Sequence, residues 1–233
     1  SSSTIISGTT LKRAADVVIQ RGRDLAAERL ETAPADIAYR DGSFEVVGTD
    51  RRIGLFELAA SKPFSGDALF GDKIESFPTG VMVCEVEVDP ETGEVRVDRL
   101  TEVADCGTVV NPRLLAGQVH GGIVHGLGNA LMEEAVYDEQ SGQLLSGTLM
   151  DYALPRADDT PSLQVETIAT ASPNNFMGLK GVGELPTNGA PAAIANAVLD
   201  ALRPLGVRHL DMPITSHKVW RALQGTAGLQ ARS

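Results

Sequence analysis

Glycine is concentrated in two stretches of this chain, and each stretch involves a predicted apolar helix. Four glycines lie within residues 178–189, directly before a helix predicted over 190–202. Five more lie inside a helix predicted over 112–134, at positions 117, 121, 122, 126 and 128. Each interior glycine costs a helix roughly 0.5–1 kcal/mol relative to alanine. Five of them therefore predict that a neighbouring helix or a ligand approaches this backbone closely.

Glu184 is the one carboxylate within the second stretch. Glycine lets a backbone approach a ligand, and the first turn of a helix leaves amide groups free to meet an anion. A glutamate held between these features is a candidate general base. The alternative is a glycine-rich connection with a solvated glutamate. A dinucleotide-binding fingerprint is disfavoured, because Pro186 takes the place of its third glycine and no β-branched run precedes Gly181.

The first glycine-rich helix carries three polar side chains among apolar ones, namely Gln118, His120 and His125. Residues five apart lie about 140° apart around a helix, so the histidines do not share a face, and the zinc spacing of four is absent. We interpret each histidine as a core or interface residue rather than a ligand. Gln118 offers a donor and an acceptor, which suits a polar ligand edge, and the alternative is a helix-packing amide.

The remaining pattern predicts alternating helices and short strands. Asn111 and Pro112 are a good N-cap and first residue for the glycine-rich helix. Alternation over 81–88 places Met82, Cys84, Val86 and Val88 on one face, which indicates that Cys84 is a core residue rather than a reactive thiol. The other predicted elements are a helix over 10–30 weakened at Gly22, a hairpin over 36–47 turning at Asp41-Gly42, a short helix over 54–60, an irregular stretch over 61–79, a partner strand over 94–103, a strand over 163–171, and a helix over 216–223 capped by Ser216.

Charge and cysteine content exclude several classes of function. The net charge of −11 argues against a nucleic-acid partner, and no apolar run reaches the length of a membrane span. The two cysteines form no C-x-x-C pair, which excludes an iron–sulfur or zinc cage built from this chain alone and fits a cytoplasmic protein. The chain lacks an initiator methionine and a secretory signal. We expect a processed chain or a piece of a longer polypeptide.

Five sequence blocks together resemble one family. They are residues 105–112 (DCGTVVNP), 117–128 (GQVHGGIVHGLG), 133–134 (EE), 150–155 (MDYALP) and 180–184 (KGVGE). In this order and spacing they are similar to a signature of the molybdenum-binding subunit of the xanthine dehydrogenase/aldehyde oxidase family. The amino-acid sequence of these blocks is most similar to that of bacterial carbon-monoxide-dehydrogenase-type large subunits. This group includes many hydroxylases that do not act on carbon monoxide. The resemblance runs from Ser1 to about Val219.

The resemblance implies roles for residues in both glycine-rich stretches. Glu184 matches the family's catalytic glutamate, which takes a proton from a molybdenum-bound hydroxyl. In that family the oxygen of this hydroxyl attacks an electrophilic carbon, and hydride passes from the carbon to a sulfido ligand. Such a base is expected to be poised by partial desolvation. Gln118 matches a glutamine beside the molybdenum centre, and no side chain is implied to ligate the metal directly. The other implied cofactor-binding residues are Gly117, Gly121, Gly122, the hydroxyl-rich loop Ser1, Ser2, Ser3 and Thr4, and the loop Lys180, Gly181, Val182 and Gly183 that presents Glu184.

The resemblance also implies partners, because the family's large subunit is far longer than this chain. An N-terminal molybdenum domain, an iron–sulfur subunit with [2Fe–2S] and a flavin subunit with FAD are expected elsewhere. The implied cofactor is molybdopterin with molybdenum, in its cytosine dinucleotide form. The implied substrate is a small molecule: a purine, an aldehyde, an N-heterocycle or carbon monoxide. The isolated chain is expected to be inactive.

We therefore expect an α+β fold of mixed and antiparallel sheets with packed helices, forming the C-terminal molybdopterin-binding region over 1–233. This region can divide into subdomains over about 1–80 and 81–224, with a loose tail over 225–233. A rival hypothesis is a non-catalytic scaffold or assembly subunit that keeps the fold and binds a partner without cofactor. The long irregular stretch over 61–79 and the acidic surface would then serve docking.

Overall fold

The structure is a computed structural model that describes residues 2–71 and 75–230. Its contacts divide the chain into two units, which we call N-terminal and C-terminal. The N-terminal unit comprises Ser2–Glu75 together with Asn174–Phe176. The C-terminal unit comprises Ser76–Pro173 and Met177–Ser233. The division thus falls five residues before the expected boundary at 80, and the second glycine-rich stretch, residues 178–189, lies within the C-terminal unit.

The N-terminal unit packs helices against a small antiparallel sheet. Its elements are α1 (Ser3–Arg29), β1 (Ile37–Arg40), β2 (Ser43–Val46), β3 (Arg52–Gly54) and α2 (Leu55–Ser61). The strand order is β1-β2-β3. The predicted hairpin is confirmed, and its turn residues Asp41 and Gly42 have φ of +47° and +79°, as a two-residue hairpin turn requires. Strand β3 was not predicted from the sequence.

Helix α1 differs from the prediction at its start and in its middle. It begins at Ser3 rather than at residue 10, so Ser3 and Thr4 form a first helical turn rather than a loop, while Ser1 lies outside the described residues. Gly22 does not interrupt the helix. A Cβ at Gly22 would lie 2.3 Å from Cζ of Phe44, which is fully buried. The glycine therefore makes room for the Phe44 ring rather than marking a weak point.

The C-terminal unit combines a mixed sheet with three helices. Its elements are β4 (Thr79–Val88), β5 (Val95–Asp105), α3 (Pro112–Leu131), β6 (Ser162–Ile168), α4 (Leu185–Leu202) and α5 (Ser216–Gln230). Strands β4 and β5 form the predicted antiparallel hairpin, and β6 pairs with β5 in parallel. The α+β class with one antiparallel and one mixed sheet is confirmed.

One apolar cluster joins the inner face of this sheet to α3, α4 and α5. Leu100, Ile123 and Ile194 are fully buried within it. Cys84 is half-buried against the same cluster, and burial raises the pKa of its thiol to about 11. Cys84 therefore packs against the core, as predicted. A thiol with so high a pKa stays protonated near neutral pH.

Two helix boundaries and one helix cap in this unit differ from the prediction. Helix α4 begins at Leu185, five residues earlier than expected, because Pro186 is accommodated in its first turn. Helix α5 continues to Gln230, so the part of the tail that the structure describes is helical. The Thr215 hydroxyl, rather than Ser216, accepts a hydrogen bond at its start, 3.4 Å from the Lys218 nitrogen. Among the described helices, none combines the length and apolar character that a bilayer span requires.

Candidate functional site

Backbone hydrogen bonds join the block that begins at Asp105 to the second glycine-rich stretch. The Thr108 nitrogen donates to the Gly178 carbonyl at 3.0 Å, and the Lys180 nitrogen donates to the Cys106 carbonyl at 3.1 Å. Gly107 has φ of +68°, and a Cβ there would lie 2.3 Å from the Gly178 oxygen. Only glycine permits this approach. Two segments about 70 residues apart in sequence are thus held side by side.

A nearly buried ion pair reinforces this junction. The Lys180 Nζ lies 2.8 Å from Oδ2 of Asp105, and the two side chains are 12% and 11% exposed. The other oxygen, Oδ1 of Asp105, accepts hydrogen bonds at 3.1 Å from the backbone nitrogens of Gly107 and Thr170. The Lys180 ammonium and these backbone donors hold the pKa of the Asp105 carboxyl well below its usual range. The ammonium of Lys180, a predicted cofactor-binding residue, is therefore engaged by Asp105.

Glu184 lies at the start of α4, four residues after Lys180. It is the residue that precedes the first helical turn, and its carbonyl accepts a hydrogen bond from the Asn188 nitrogen at 3.0 Å. Its carboxylate makes no capping hydrogen bond and is exposed. The expectation that Glu184 sits in a desolvated pocket is not met by this chain's own described residues. The carboxylate is nevertheless presented at the positive end of an 18-residue helix.

Gln118 connects the two glycine-rich stretches beside this carboxylate. Its Nε2 donates a hydrogen bond to the Gly183 carbonyl at 3.0 Å, across 65 residues of sequence. The Gln118 side chain is exposed. Asn111 caps α3 about two turns before it by accepting hydrogen bonds from the nitrogens of Arg113 and Leu114. The interpretation of Gln118 as an amide that packs one helix on another is incomplete, because its partner is the loop that leads into Glu184.

Four of the five glycines of α3 fall into two groups, and the fifth, Gly128, packs against Glu133 and Pro155. Gly122 and Gly126 face α4: a Cβ at Gly122 would lie 2.8 Å from Cβ of Pro186, and one at Gly126 would lie 2.7 Å from Cβ of Ala190. By contrast, a Cβ at Gly117 or Gly121 would meet no described atom within 4 Å. The sequence left open whether a helix or a ligand approaches this backbone. The structure gives Gly122 a packing role and leaves Gly117 and Gly121 on an open face of the helix.

The open face of α3 leaves helical backbone uncovered at Gly117 and Gly121. Residues 117 and 121 share this face because they are four apart. His120 and His125 are both exposed. Within the described side chains, no three of His, Cys, Asp and Glu converge as a metal site would require. The arrangement can therefore receive a flat polar molecule against the helix, close to one carboxylate that can accept a proton.

Asp105 is a residue of this site to which the sequence analysis assigned no role. It occupies the end of β5, and its carboxylate contacts the Gly107 nitrogen, the Thr170 nitrogen and the Lys180 ammonium. A carboxylate directly before a Cys-Gly-Thr turn was the available signal. Its partner Lys180 lies 75 residues away, and sequence pattern alone does not identify such a pair.

The chain matches the family model described as molybdopterin cofactor-binding domain over residues 1–161. Among its relatives is subunit gamma of the 6-hydroxypseudooxynicotine dehydrogenase complex of Paenarthrobacter nicotinovorans, which is 37% identical over 97% of this chain and 30% of the relative. The carbon monoxide dehydrogenase large chain of Hydrogenophaga pseudoflava is 35% identical over 96% of this chain and 29% of the relative. This chain therefore spans less than a third of the length of these relatives.

Solved structures of the same kind match the fold. A Cu,Mo-CO dehydrogenase superposes with a TM-score of 0.84 at 30% identity, over 97% of this chain and 30% of that one. Quinoline 2-oxidoreductase from Pseudomonas putida 86 superposes with a TM-score of 0.77 at 36% identity, over 91% and 29% of the two chains. The chain belongs to the molybdopterin-binding subunits of the xanthine dehydrogenase/aldehyde oxidase/carbon-monoxide-dehydrogenase-type molybdenum hydroxylase family.

Proposed function

We propose that this chain is the C-terminal molybdopterin-binding portion of a molybdenum hydroxylase and that Glu184 is its catalytic base. The observation that carries this proposal is the Gln118–Gly183 hydrogen bond, which joins the open face of α3 to the loop that presents Glu184. A base and a ligand surface from distant parts of the chain thereby become one site.

The residues on this surface fit a pterin cofactor. Gly117 and Gly121 leave helical backbone uncovered, so a flat ring can approach it without meeting a side chain. The Gln118 amide can pair with the polar edge of such a ring. Gly181, Val182 and Gly183 form the short, half-buried loop that leads to Glu184. When bound, molybdopterin supplies the molybdenum at which the substrate is oxidised.

Glu184 is proposed to accept a proton at its carboxylate. Its exposure in this chain means that water must be excluded by the part of the subunit that lies outside it. Removing that water raises the proton affinity of a carboxylate, whereas the start of α4 favours the ionised form. The Asp105–Lys180 pair is proposed to position the loop rather than to touch the cofactor, since both charges are satisfied within the chain.

The proposal also includes the residues of the predicted hydroxyl-rich loop, Ser1 to Thr4, as cofactor-binding residues. Ser2, Ser3 and Thr4 belong to the N-terminal unit, so their contact with cofactor rests on the resemblance alone. Ser1 is proposed on the same basis and lies outside the described residues.

The family resemblance supports a finer proposal for the cofactor and the partners. We propose the cytosine dinucleotide form of molybdopterin, with [2Fe–2S] and FAD carried by partner subunits in the cytoplasm. The proposed reaction is oxidative hydroxylation of a small molecule such as an N-heterocycle or an aldehyde. Relatives named as a nicotine 6-hydroxylase large subunit and as an aldehyde oxidoreductase molybdenum-binding subunit support this range of substrates.

Substituting Gly121 by valine tests the cofactor surface. The free energy of unfolding should change little, because no described atom lies within 4 Å of the new Cβ and valine suits a helix better than glycine. In the assembled enzyme, molybdenum and pterin content should fall, because the new side chain intrudes on the ring. Overpacking of about 1–3 kcal/mol corresponds to a loss in affinity of roughly 5- to 150-fold.

The matched control is Gly225→Val in α5, another helical glycine whose Cβ would meet no described atom within 4 Å. It should leave cofactor content unchanged. If Gly121→Val retained as much molybdenum and pterin as the wild-type enzyme, the cofactor would not lie on this face of α3.

A further inference from the structure

One acidic side chain of the C-terminal unit is enclosed in its core. Glu102 of β5 is fully buried, and neither of its carboxyl oxygens has a hydrogen-bond partner among the described residues. Its directly paired neighbours are Met82 on β4 and Val165 on β6, and paired residues point their side chains to the same face of a sheet. Glu102 therefore lies on the inner face of the sheet, between two apolar side chains.

The elements that pack against Glu102 bring no charge to it. On the same face of β4, the thiol of Cys84 is titratable, and burial keeps that thiol neutral. The described side chains of α3, α4 and α5 that belong to the buried cluster are apolar. The titratable side chains of these helices are exposed or engaged elsewhere, namely Arg113, His120, His125, Asp200, His217 and Arg221, which are exposed, and Lys218, which pairs with Glu134. Burial alone raises the pKa of the Glu102 carboxyl to about 7.

The first two turns of α4, residues 185–191, lie over this part of the sheet, and we call them the leading segment. A Cβ at Gly80 would lie 3.3 Å from the side chain of Leu185. A Cβ at Gly189 would lie 3.0 Å from Sδ of Met82, the residue paired with Glu102. The leading segment therefore covers the strand positions next to the buried carboxyl, and it begins immediately after the proposed base.

The leading segment is intrinsically the weakest part of α4. Pro191 has no amide proton, so one backbone hydrogen bond of the helix is missing, and Gly189 lowers the helix propensity further. The remaining residues, 192–202, contain neither glycine nor proline and place three fully buried side chains in the core. Local opening occurs where backbone bonds and buried contacts are fewest. The leading segment can thus open while the rest of α4 stays folded.

We infer that Glu102 is a pH-sensitive positioning residue, whose ionisation opens the leading segment of α4 and thereby displaces Glu184. An ionised carboxylate in an apolar core must gain water, and opening a weak segment achieves this with less disruption than unfolding the whole unit. In its neutral form the carboxyl leaves the segment closed, so Glu184 stays at the helix start. The inference rests on the proposed function in one respect, since displacement of Glu184 affects the reaction only if Glu184 is the base.

The expected size of the effect follows from the pKa of Glu102 in the two forms. The carboxyl has its ordinary pKa of 4.5 where opening exposes it to water, and a pKa of about 7 where it is buried. Between these values, a rising pH removes the proton from the open form first and so favours opening. Linkage gives an increase of about 10-fold in the opening equilibrium constant between pH 6 and pH 8.

Hydrogen exchange of backbone amides in the assembled enzyme tests this inference. Rates are measured at pH 6 and pH 8 and corrected for the intrinsic exchange rate at each pH. In the wild type, amides 188–190 should exchange about 10-fold faster at pH 8, while amides 195–202 of the same helix remain slower. In Glu102→Gln, the corrected rates of amides 188–190 should be equal at the two pH values, because glutamine does not ionise. The matched control is Glu166→Gln, an exposed position on β6, which should behave as the wild type does.

Two results would overturn the inference. The first is the same pH dependence of amides 188–190 in the wild type and in Glu102→Gln. The second is acceleration of these amides in the wild type only together with those of β5 and α3, at one common rate, because the whole unit would then be unfolding. The wild-type measurement needs no substitution, so it decides the matter even for a variant that does not fold. Exchange is measured without turnover, so failure of Glu184 as the base would leave these rates unchanged.

Discussion

Glu184→Gln should leave the assembled enzyme with its full content of molybdenum and pterin while turnover falls by about 100- to 10 000-fold. Glutamine keeps the shape and hydrogen-bonding capacity of the side chain but cannot accept a proton. The exposed position of Glu184, with no capping hydrogen bond, means that folding does not depend on its charge. The loss should therefore appear in turnover rather than in stability or cofactor retention.

The matched control for this substitution is Glu91→Gln. Glu91 is an exposed glutamate in the turn between β4 and β5, outside both glycine-rich stretches. It should retain wild-type turnover. If Glu184→Gln enzyme with full molybdenum content turned over at the wild-type rate, Glu184 would not be the base. If it lost molybdenum together with activity, its role would be structural.

Glu102 should make the stability of this chain fall as the pH rises from about 4.5 to 7. It lies on β5 between Met82 and Val165 of the neighbouring strands. Glu102 is fully buried, and neither carboxyl oxygen has a hydrogen-bond partner among the described residues. Burial raises the pKa of its carboxyl to about 7. A buried carboxyl without a partner is held in its neutral form, because ionisation would place an uncompensated charge in the core.

The sign of the effect follows from the two pKa values. Below pH 4.5 the carboxyl is protonated in the folded and unfolded states, so it contributes nothing to the pH dependence. Between 4.5 and 7 the unfolded state loses its proton first, which favours unfolding by about 1.4 kcal/mol per pH unit. Above pH 7 both states are ionised, and the penalty levels off at about 3 kcal/mol.

Denaturant unfolding of the wild-type chain and Glu102→Gln across pH 4 to 8 measures this penalty by difference. Other carboxyls, such as that of Asp105, contribute equally to both proteins and cancel. The variant should gain stability relative to the wild type by about 3 kcal/mol between the ends of this range. Glu166→Gln, an exposed glutamate on β6, should follow the wild type. Parallel curves for the wild type and Glu102→Gln would contradict a raised pKa.

The sequence indicated that a helix or a ligand approaches the backbone of each glycine-rich stretch, but it did not indicate that the two stretches lie side by side. The sequence did not predict which glycines of α3 face α4 and which lie on the open face of the helix. The spacing of four between Gly122 and Gly126 defines a face, but periodicity does not state whether a helix or a ligand covers that face. Only the positions of Pro186 and Ala190 on α4 decide this.

The early start of α4 had a signal in the sequence that was interpreted differently. The sequence analysis used Pro186 only as evidence against a dinucleotide-binding fingerprint, although proline is well tolerated in the first turn of a helix. Recognising this places Glu184 at the helix N-cap without a structure. The parallel pairing of β6 with β5 could likewise be expected from the sequence, because two strands connected by a helix commonly pair in parallel.

Long-range polar contacts lay beyond the sequence. The Asp105–Lys180 pair and the Gln118–Gly183 hydrogen bond link residues 75 and 65 positions apart. No local pattern specifies such partners, because each depends on how β5, α3 and α4 pack together. These two contacts organise the proposed site, and they convert a family resemblance into a defined arrangement of base and ligand surface.

The most direct test of the central claim is a determination of molybdenum and pterin in the purified complex that contains this chain. We expect about one molybdenum and one pterin for each copy of the chain, since a single open face of α3 adjoins a single Glu184. A complex that contains this chain in full amount but neither molybdenum nor pterin would contradict the account and support a scaffold role instead.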